Sequence, residues 1–218
     1  MNKKSFVFLL LGLLLLAAAA ALTCYNVSES RHVGERSETI TARLKMRLPS
    51  EQTESAAADR SHDSDTPVAS AQKPDYLTNP EMDMPAQEID GERYIGLLRL
   101  PTLELELPVL ETWSYERLKL APCRYTGSAY LHNMVIAAHN YTVHFGKLEL
   151  LSLGDPIIFE DMDGNSFRYE VASIEILAPT AISEMTDSEW ALTLFTCTLS
   201  GANRITVRCT EAEQNTAA

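Results

Sequence analysis

The sequence is poor in positive charge. Among its 218 residues, 18 are Lys or Arg and 30 are Asp or Glu, which gives a formal net charge of −12. Proteins that bind nucleic acid neutralise phosphates with clustered basic side chains and release counterions as they bind. The sequence offers no basic patch of this kind, so we expect no nucleic-acid partner.

Cysteine is also scarce, with four residues in the chain. Small secreted domains that depend on disulfides carry cysteine at a much higher density. The fold therefore has to depend on a hydrophobic core rather than on cross-links. Cys123 and Cys209 could pair if their strands lie close together, or both could be free thiols, and the sequence leaves these two alternatives open.

Long apolar runs are confined to the N-terminus. Residues 6–22 form an uncharged, almost wholly apolar run, which as a helix reaches roughly 25 Å, near the short end of a membrane span. Lys3 and Lys4 precede it and favour a cytoplasmic N-terminus. We predict a cytoplasmic tail and a transmembrane signal anchor in residues 1–24, in contact with membrane lipid, with the rest of the chain extracellular. A cleaved signal peptide is the alternative.

Residues 25–91 differ in composition from the rest of the chain. They are rich in Ser, Thr, Glu, Asp, Ala and Gln and have few large apolar side chains, so they cannot bury a core of their own. This composition predicts a polar extracellular stalk. Residues 33–48 within it carry apolar side chains at near-helical spacing, which predicts a short amphipathic helix. We discount His32 and His62 as catalytic residues because they lie in this segment.

A pattern of short strands begins at about residue 92. Seven or so apolar and β-branched segments are separated by turn signals, without long helical patterns between them. Residues 103–107, LELEL, alternate strictly and meet Pro108, which predicts a half-buried strand that ends at an edge. We predict an all-β domain, either a barrel or a sandwich, over residues 92–210, followed by a C-terminal tail over residues 211–218.

The last two predicted strands bring reactive side chains together. Residues 192–198 and 203–209 are typical of antiparallel strands, and the segment between them contains a Ser-Gly turn signal. In such a hairpin Cys197 and Arg204 lie at the same rim of the sheet. A cysteine attacks as a thiolate, and a guanidinium stabilises negative charge or holds a carbonyl oxygen. A small buried cysteine beside an unrelated surface arginine is the competing interpretation.

A cysteine nucleophile needs a partner that transfers protons, and histidine is the usual one. His139 directly follows the short apolar run of residues 134–138. It is the strongest candidate because the end of a strand is both rigid and exposed. His132 and His144 are expected to be ordinary surface residues. The surroundings of the three histidines lack supporting ligands, so we expect no metal site and no cofactor.

With these three residues identified, the domain resembles a sortase, a membrane-anchored cysteine transpeptidase of Gram-positive bacteria. Family sequences carry a Thr-Leu-x-Thr-Cys segment, which residues 193–197, TLFTC, match. An arginine opens the next strand, as Arg204 does, and a histidine follows a buried strand, as His139 does. Residues 107–110, LPVL, resemble a "PV" element of the family, and residues 145–155 resemble its "F..L..L..GD" stretch.

The chain departs from the family pattern at three places. Ala138 stands where the family usually has a glycine before the histidine. The connection between Cys197 and Arg204 is short, and residues 178–191, which in the family help to form the substrate groove, are compact. These departures leave the three candidate catalytic residues intact and bear on the recognised motif and the subclass.

The resemblance implies a closed eight-stranded β-barrel with short helical turns, and a catalytic cycle. Cys197 would attack the carbonyl of a Leu-Pro-x-Thr-Gly-like sorting signal at the C-terminus of a secreted protein, and a thioester would form. An amine from a peptidoglycan precursor or a pilin lysine would resolve it. His139 would protonate the leaving amine and help to deprotonate the incoming one. Arg204 would hold the substrate and stabilise the oxyanion, and Thr196 would line the substrate groove.

Two other functions stay open. A cysteine peptidase would release its product to water, whereas a transpeptidase gives a ligated product when an amine acceptor is added. A non-catalytic extracellular binding module would show no thiol reactivity at Cys197 and would tolerate His139→Ala. Transpeptidation is the leading hypothesis. A binding module would leave the three matched residues unexplained.

Overall fold

A computed structural model describes residues 3–49, 73–186 and 189–212. Helix α1 is long, and two one-turn helices follow it: α1 Lys3–Lys45, α2 Tyr115–Leu118 and α3 Ile182–Met185. Short 3-10 helices lie at Asp75–Leu77, Pro101–Leu103, Ala129–Leu131 and Leu148–Leu150. The strands within these residues are β1 Gln87–Ile89, β2 Glu92–Leu100, β3 Leu105–Leu110, β4 Cys123–Thr126, β5 Met134–Ala137, β6 Pro156–Asp161, β7 Ser166–Leu177, β8 Leu192–Cys197 and β9 Arg204–Glu211.

Eight of the strands close into a barrel. Their order is β2-β3-β4-β5-β8-β9-β7-β6, and β6 pairs back to β2 from Gly96↔Asp161 to Arg99↔Ile158. The short β1 pairs with the first residues of β2, ahead of β6 along the same strand. The predicted closed eight-stranded barrel is therefore confirmed, and closure leaves the core strands without free edges.

The barrel interior is an apolar core supplied by alternate residues of each strand. On β9, Ile205, Val207 and Cys209 are buried in this core, as their alternation in the sequence predicts. The opposite face of β9 carries Arg204, Thr206 and Arg208. The two-residue periodicity of β9 therefore separates an apolar inside from a polar outside, and the candidate site lies on the outside.

A second apolar cluster covers the outer face of the barrel. Ile40 and Leu44, one helical turn apart on α1, are buried against Tyr94 and Leu97 of β2. An ion pair between Arg43 and Asp90, at 2.8 Å, and a second between Lys45 and Glu106 flank this contact. The C-terminal turns of α1 are consequently part of the folded unit.

This packing corrects the predicted stalk. The amphipathic helix expected within residues 33–48 is present, but it is the end of a 43-residue helix and docks on the barrel. Residues 73–91 also pack on the barrel through a 3-10 helix and β1. Composition alone is a poor guide here, because a few apolar residues at helical spacing are enough to cover an exposed sheet face. Residues 50–72, with His62, lie outside the described residues, as do residues 213–218.

The predicted transmembrane anchor in residues 1–24 is not borne out. Across residues 3–49, 73–186 and 189–212, no helix is long and apolar enough to cross a membrane.

Strand boundaries differ from the predictions at β3 and β4. Leu103 belongs to a 3-10 helix, and Glu104 has a φ of 55°, so β3 begins at Leu105. Pro108 does not end the strand, which continues to Leu110 and pairs with β4 at Leu110↔Cys123. A proline lacks only its own backbone N–H donor, and β3 meets β4 beyond that position. The sequence analysis did not predict β1 or β4, each of four residues or fewer.

Candidate active site

The ends of three neighbouring strands form one rim of the barrel. Cys197, the last residue of β8, pairs directly with Arg204, the first residue of β9. Arg204 pairs on its other side with Leu177, the last residue of β7. Strand β5 runs parallel to β8 with Ala137↔Phe195, so His139, two residues farther on, reaches the level of Cys197. The predicted cysteine, arginine and histidine therefore meet at one rim.

Three hydrogen bonds fix the histidine segment to the cysteine strand. The Ala138 N–H donates to the Phe195 carbonyl at 3.2 Å, and the Thr196 hydroxyl donates to the Ala138 carbonyl at 2.8 Å. The Asn140 side-chain amide donates to the Thr198 carbonyl at 3.3 Å. These bonds lie immediately before and after His139 and Cys197. They hold the two residues in a fixed register, which a proton transfer between side chains requires.

Thr196 does not occupy the position predicted for it. Its side chain is buried, on the opposite face of β8 from Cys197, and its hydroxyl bonds to the Ala138 carbonyl. Alternation along a strand is the physical reason, because neighbouring residues point to opposite faces. Thr196 therefore stabilises the strand end beside His139 rather than lining a substrate groove.

The Arg204 guanidinium folds back onto the loop between β8 and β9. Its Nη1 donates to the carbonyls of Gly201, at 3.2 Å, and Asn203, at 3.1 Å. The loop itself is tight, because the Thr198 N–H donates to the Asn203 carbonyl at 2.9 Å and Gly201 adopts a φ of 73°. These bonds hold the guanidinium against the loop that joins Cys197 to Arg204.

Burial distinguishes Cys197 from two other cysteines. Cys123 and Cys209 are free thiols with no exposed surface, and burial raises the pKa of each to about 12. A thiol with so high a pKa is not a nucleophile at neutral pH. Cys197 is half-buried and open to a reactant. The structure thus contains no Cys123–Cys209 disulfide, and of these three cysteines only Cys197 is accessible to a reactant.

The three histidines of the domain have different surroundings. His132 is exposed at the opposite end of the barrel and forms an ion pair with Glu211. His144, which was expected at the surface, has no exposed surface, because the turn of residues 141–146 folds it inward. Burial, together with the nearby His139, lowers the pKa of His144 to about 4, so it is neutral at physiological pH. The Tyr141 ring lies 5.1 Å from the His139 ring and 5.7 Å from the His144 ring.

An aromatic row extends from the cysteine strand across the outer face of the barrel. Phe195, on the same face of β8 as Cys197, contacts Tyr125 at 5.3 Å between ring centroids. Tyr125 contacts Trp113 at 5.1 Å, and Trp113 is 39% exposed. The sequence analysis missed these residues. The alternation in TLFTC could have placed Phe195 beside Cys197, but Tyr125 and Trp113 reach it only through the packing of β4.

The connection between β7 and β8 borders the same face on the other side. Both strands are antiparallel to β9, which lies between them, so this crossover, of which residues 178–186 and 189–191 are described, passes over β9. The outward-facing Thr206 and Arg208 of β9 are buried. Apolar residues are exposed in the connections on both sides of β9: Ile182 of α3 is 52% exposed, and Leu199, in the loop between β8 and β9, is 98% exposed. On the outer face of the barrel, Cys197 therefore has the aromatic row on one side and the crossover on the other.

The family model of the sortase domain matches residues 98–212. The chain belongs to the sortase family. The match begins within β2 and ends just after β9, so it covers the closed barrel and the rim with Cys197, His139 and Arg204. The resemblance noted in the sequence is confirmed at the level of the family. None of the curated proteins matches the sequence.

Solved sortases share the fold. Sortase A from Corynebacterium diphtheriae superposes with a TM-score of 0.51 at 22% identity, covering 58% of this chain and 64% of that chain. Clostridium perfringens sortase C with the C-terminal cell wall sorting motif gives a TM-score of 0.53 at 20% identity, covering 64% of this chain and 89% of that chain. A Clostridium perfringens sortase D5 transpeptidase gives a TM-score of 0.51 at 19% identity, covering 63% of this chain and 87% of that chain. Types A, C and D thus score alike, so this sortase is not assigned to a subclass.

Proposed function

We propose that this sortase is a cysteine transpeptidase that cleaves an LPxTG-like sorting signal and transfers the attached surface protein to an amine. One observation carries the proposal: Cys197 and Arg204 are paired at the rim, and the strand register brings His139 to the same level. A nucleophile, a proton carrier and a fixed cation on one exposed rim are the groups that acyl transfer through a thioester needs.

The proposed reaction has two stages. The Cys197 thiolate attacks the threonine carbonyl of the signal, the peptide C–N bond breaks, and the His139 imidazolium gives its proton to the leaving amine. An incoming amine then attacks the thioester, His139 takes up the proton, and the thiolate of Cys197 leaves. Arg204 stabilises the oxyanion of each tetrahedral intermediate with its guanidinium.

Exposed apolar residues near Cys197 support an apolar peptide as the substrate. Leu199 is exposed in the loop that follows Cys197, Ile182 is exposed on α3, and Phe195 lies on the cysteine face of β8. A leucine-proline segment presents apolar surface without charge, so it gains by covering such residues. The Clostridium perfringens sortase C with the C-terminal cell wall sorting motif shares the fold, which supports a substrate of the same class here.

We propose that the domain works at the extracellular face of the cell membrane. Its partners there are secreted proteins with a C-terminal sorting signal, and an amine from a peptidoglycan precursor or a pilin lysine. Protease added to intact cells tests this location. Digestion of the catalytic domain without cell lysis is the expected result, and protection until lysis would contradict an extracellular site.

The function is tested by incubating the full chain with a labelled sorting-signal peptide and a glycine-type amine. Ligated product, identified by mass spectrometry, is expected for the unaltered protein and for Cys123→Ala, the matched control with a buried thiol. Cys197→Ala should give none. Cleavage that persists in Cys197→Ala would refute the proposed nucleophile. Hydrolysed product alone, at saturating amine, would instead indicate a cysteine peptidase.

A further inference from the structure

Arg208 is a buried arginine outside the catalytic rim. It lies on the outer face of β9, two residues along the strand from Thr206 and four from Arg204, yet it is only 2% exposed. Removing a guanidinium from water is costly unless its N–H groups find acceptors. The contacts of Arg208 therefore show which parts of the fold it joins.

Its guanidinium reaches three separate elements. Nη1 donates to the Met185 carbonyl of α3 at 3.3 Å and to the Thr193 hydroxyl of β8 at 3.1 Å, and Nη2 donates to the Glu184 carbonyl of α3. Nε lies 3.6 Å from the Glu175 carboxylate on β7. One side chain thus connects the crossover to both of the strands that it links. Lysine could not reproduce this, because its ammonium lacks the planar fork.

The crossover depends on such an attachment. Its helix, α3, is a single turn of four residues, and an isolated turn is unstable in water. The attachment point lies on the cysteine face of β8, since Thr193, Phe195 and Cys197 alternate to the same side. Thr193 is four residues, roughly 13 Å, from Cys197 along the strand. Arg208 is therefore too distant to take part in the chemistry.

We infer that Arg208 is a positioning residue that fixes residues 178–186 of the crossover as one wall of the binding site for the sorting signal. The inference rests on the proposed function for its substrate. The wall binds the part of the signal that precedes the scissile bond, so Arg208 acts on how tightly the signal is held. Reactivity of the Cys197 thiol is independent of it.

The test compares Arg208→Lys with Arg99→Lys in the full chain. Arg99 also bonds to side chains of two neighbouring strands, through Glu106 and Glu160, but away from the crossover. Arg208→Lys should raise KM for a sorting-signal peptide about tenfold, the effect of losing one or two hydrogen bonds made by a charged group, with kcat changed less than about twofold. Alkylation of Cys197 should keep its rate, and Arg99→Lys should leave KM unchanged.

Amide hydrogen exchange supplies a readout that does not need activity. Residues 178–186 should exchange faster in Arg208→Lys and at the original rate in Arg99→Lys. If Arg208→Lys fails to fold, Thr193→Val, which removes one acceptor and keeps the shape, should give a smaller change of the same kind. Unchanged KM with unchanged exchange would overturn the inference. If the unaltered protein does not act on the peptide, but residues 178–186 still exchange faster in Arg208→Lys, the proposed function is refuted while the attachment of the crossover by Arg208 stands.

Discussion

The buried His144 makes the stability of this protein sensitive to mild acid. Its pKa is lowered from 6.5 to about 4 by burial and by the neighbouring His139, and both of its ring nitrogens are buried without a hydrogen-bond partner. As the pH falls below 6.5, His144 binds a proton in the unfolded chain, whereas in the folded protein it stays neutral until about pH 4. Stability is therefore intact above pH 6.5 and is lost progressively between about pH 6.5 and pH 4.

The size of this loss follows from the shift. One pKa unit corresponds to about 1.4 kcal/mol, so a displacement from 6.5 to about 4 gives about 3 kcal/mol in total, of which about 2 kcal/mol is lost by pH 5. His144→Met removes the titration and keeps an apolar side chain that adapts to the space. When the pH is lowered from 7 to 5, the unaltered protein should therefore lose about 2 kcal/mol more unfolding free energy than His144→Met.

Urea unfolding at pH 7, 6 and 5 measures this difference. Carboxylates that titrate in the same range contribute equally to both proteins and cancel. Leu148→Met is the control, because it changes a buried side chain that does not titrate and should leave the pH dependence unchanged. Parallel pH dependences for His144→Met and the unaltered protein would refute the reasoning, since they would mean that His144 is protonated in the folded state as readily as in the unfolded one.

Three further predictions follow from burial, register and steric fit. Cys123 and Cys209 should resist iodoacetamide in the native full chain and react after unfolding, as mapped by mass spectrometry; native labelling of either would contradict a buried thiol. Asn140→Ala removes the amide bond across the rim and should lower turnover several-fold while costing about 1 kcal/mol of unfolding free energy; unchanged turnover would mean that the bond does not hold the histidine. In Gly96→Ala the added methyl group would overlap a backbone carbonyl of β6, so the unfolding free energy should fall by roughly 3 kcal/mol or more. Gly91 has a φ of 81° and open space around it, so Gly91→Ala should lower the unfolding free energy by about 1–2 kcal/mol. Thermal unfolding measures both, and equal losses would contradict the close approach at Gly96.

The position of the candidate catalytic residues could be predicted from the sequence because local rules determine it. A strand, a tight turn and a second strand set Cys197 opposite Arg204, and the end of an apolar run identifies His139. The same alternation rule also determines the face of Thr196, and it puts that residue inside, next to the Ala138 carbonyl. The resemblance to the family motif implies that Thr196 lines the substrate groove, but strand alternation places its side chain inside the barrel.

Features that depend on contacts between distant segments could not be predicted. Ile40 and Leu44 show helical spacing, but nothing in that spacing reveals that they cover the outer face of β2. His144 lies in a polar loop by sequence and is buried only because its turn folds against the barrel. Alternation along β9 places Arg208 on the polar face of that strand, but its burial depends on the crossover between two other strands.

The central claim is that Cys197 carries the acyl group of a sorting signal. The most direct measurement is the intact mass of the full chain after brief incubation with a sorting-signal peptide, without an amine and with an acid quench. The account predicts an adduct equal to the peptide up to its threonine, located on Cys197, released when a glycine-type amine is added and absent in Cys197→Ala. Cleavage without an adduct, or an adduct on any other residue, would contradict it.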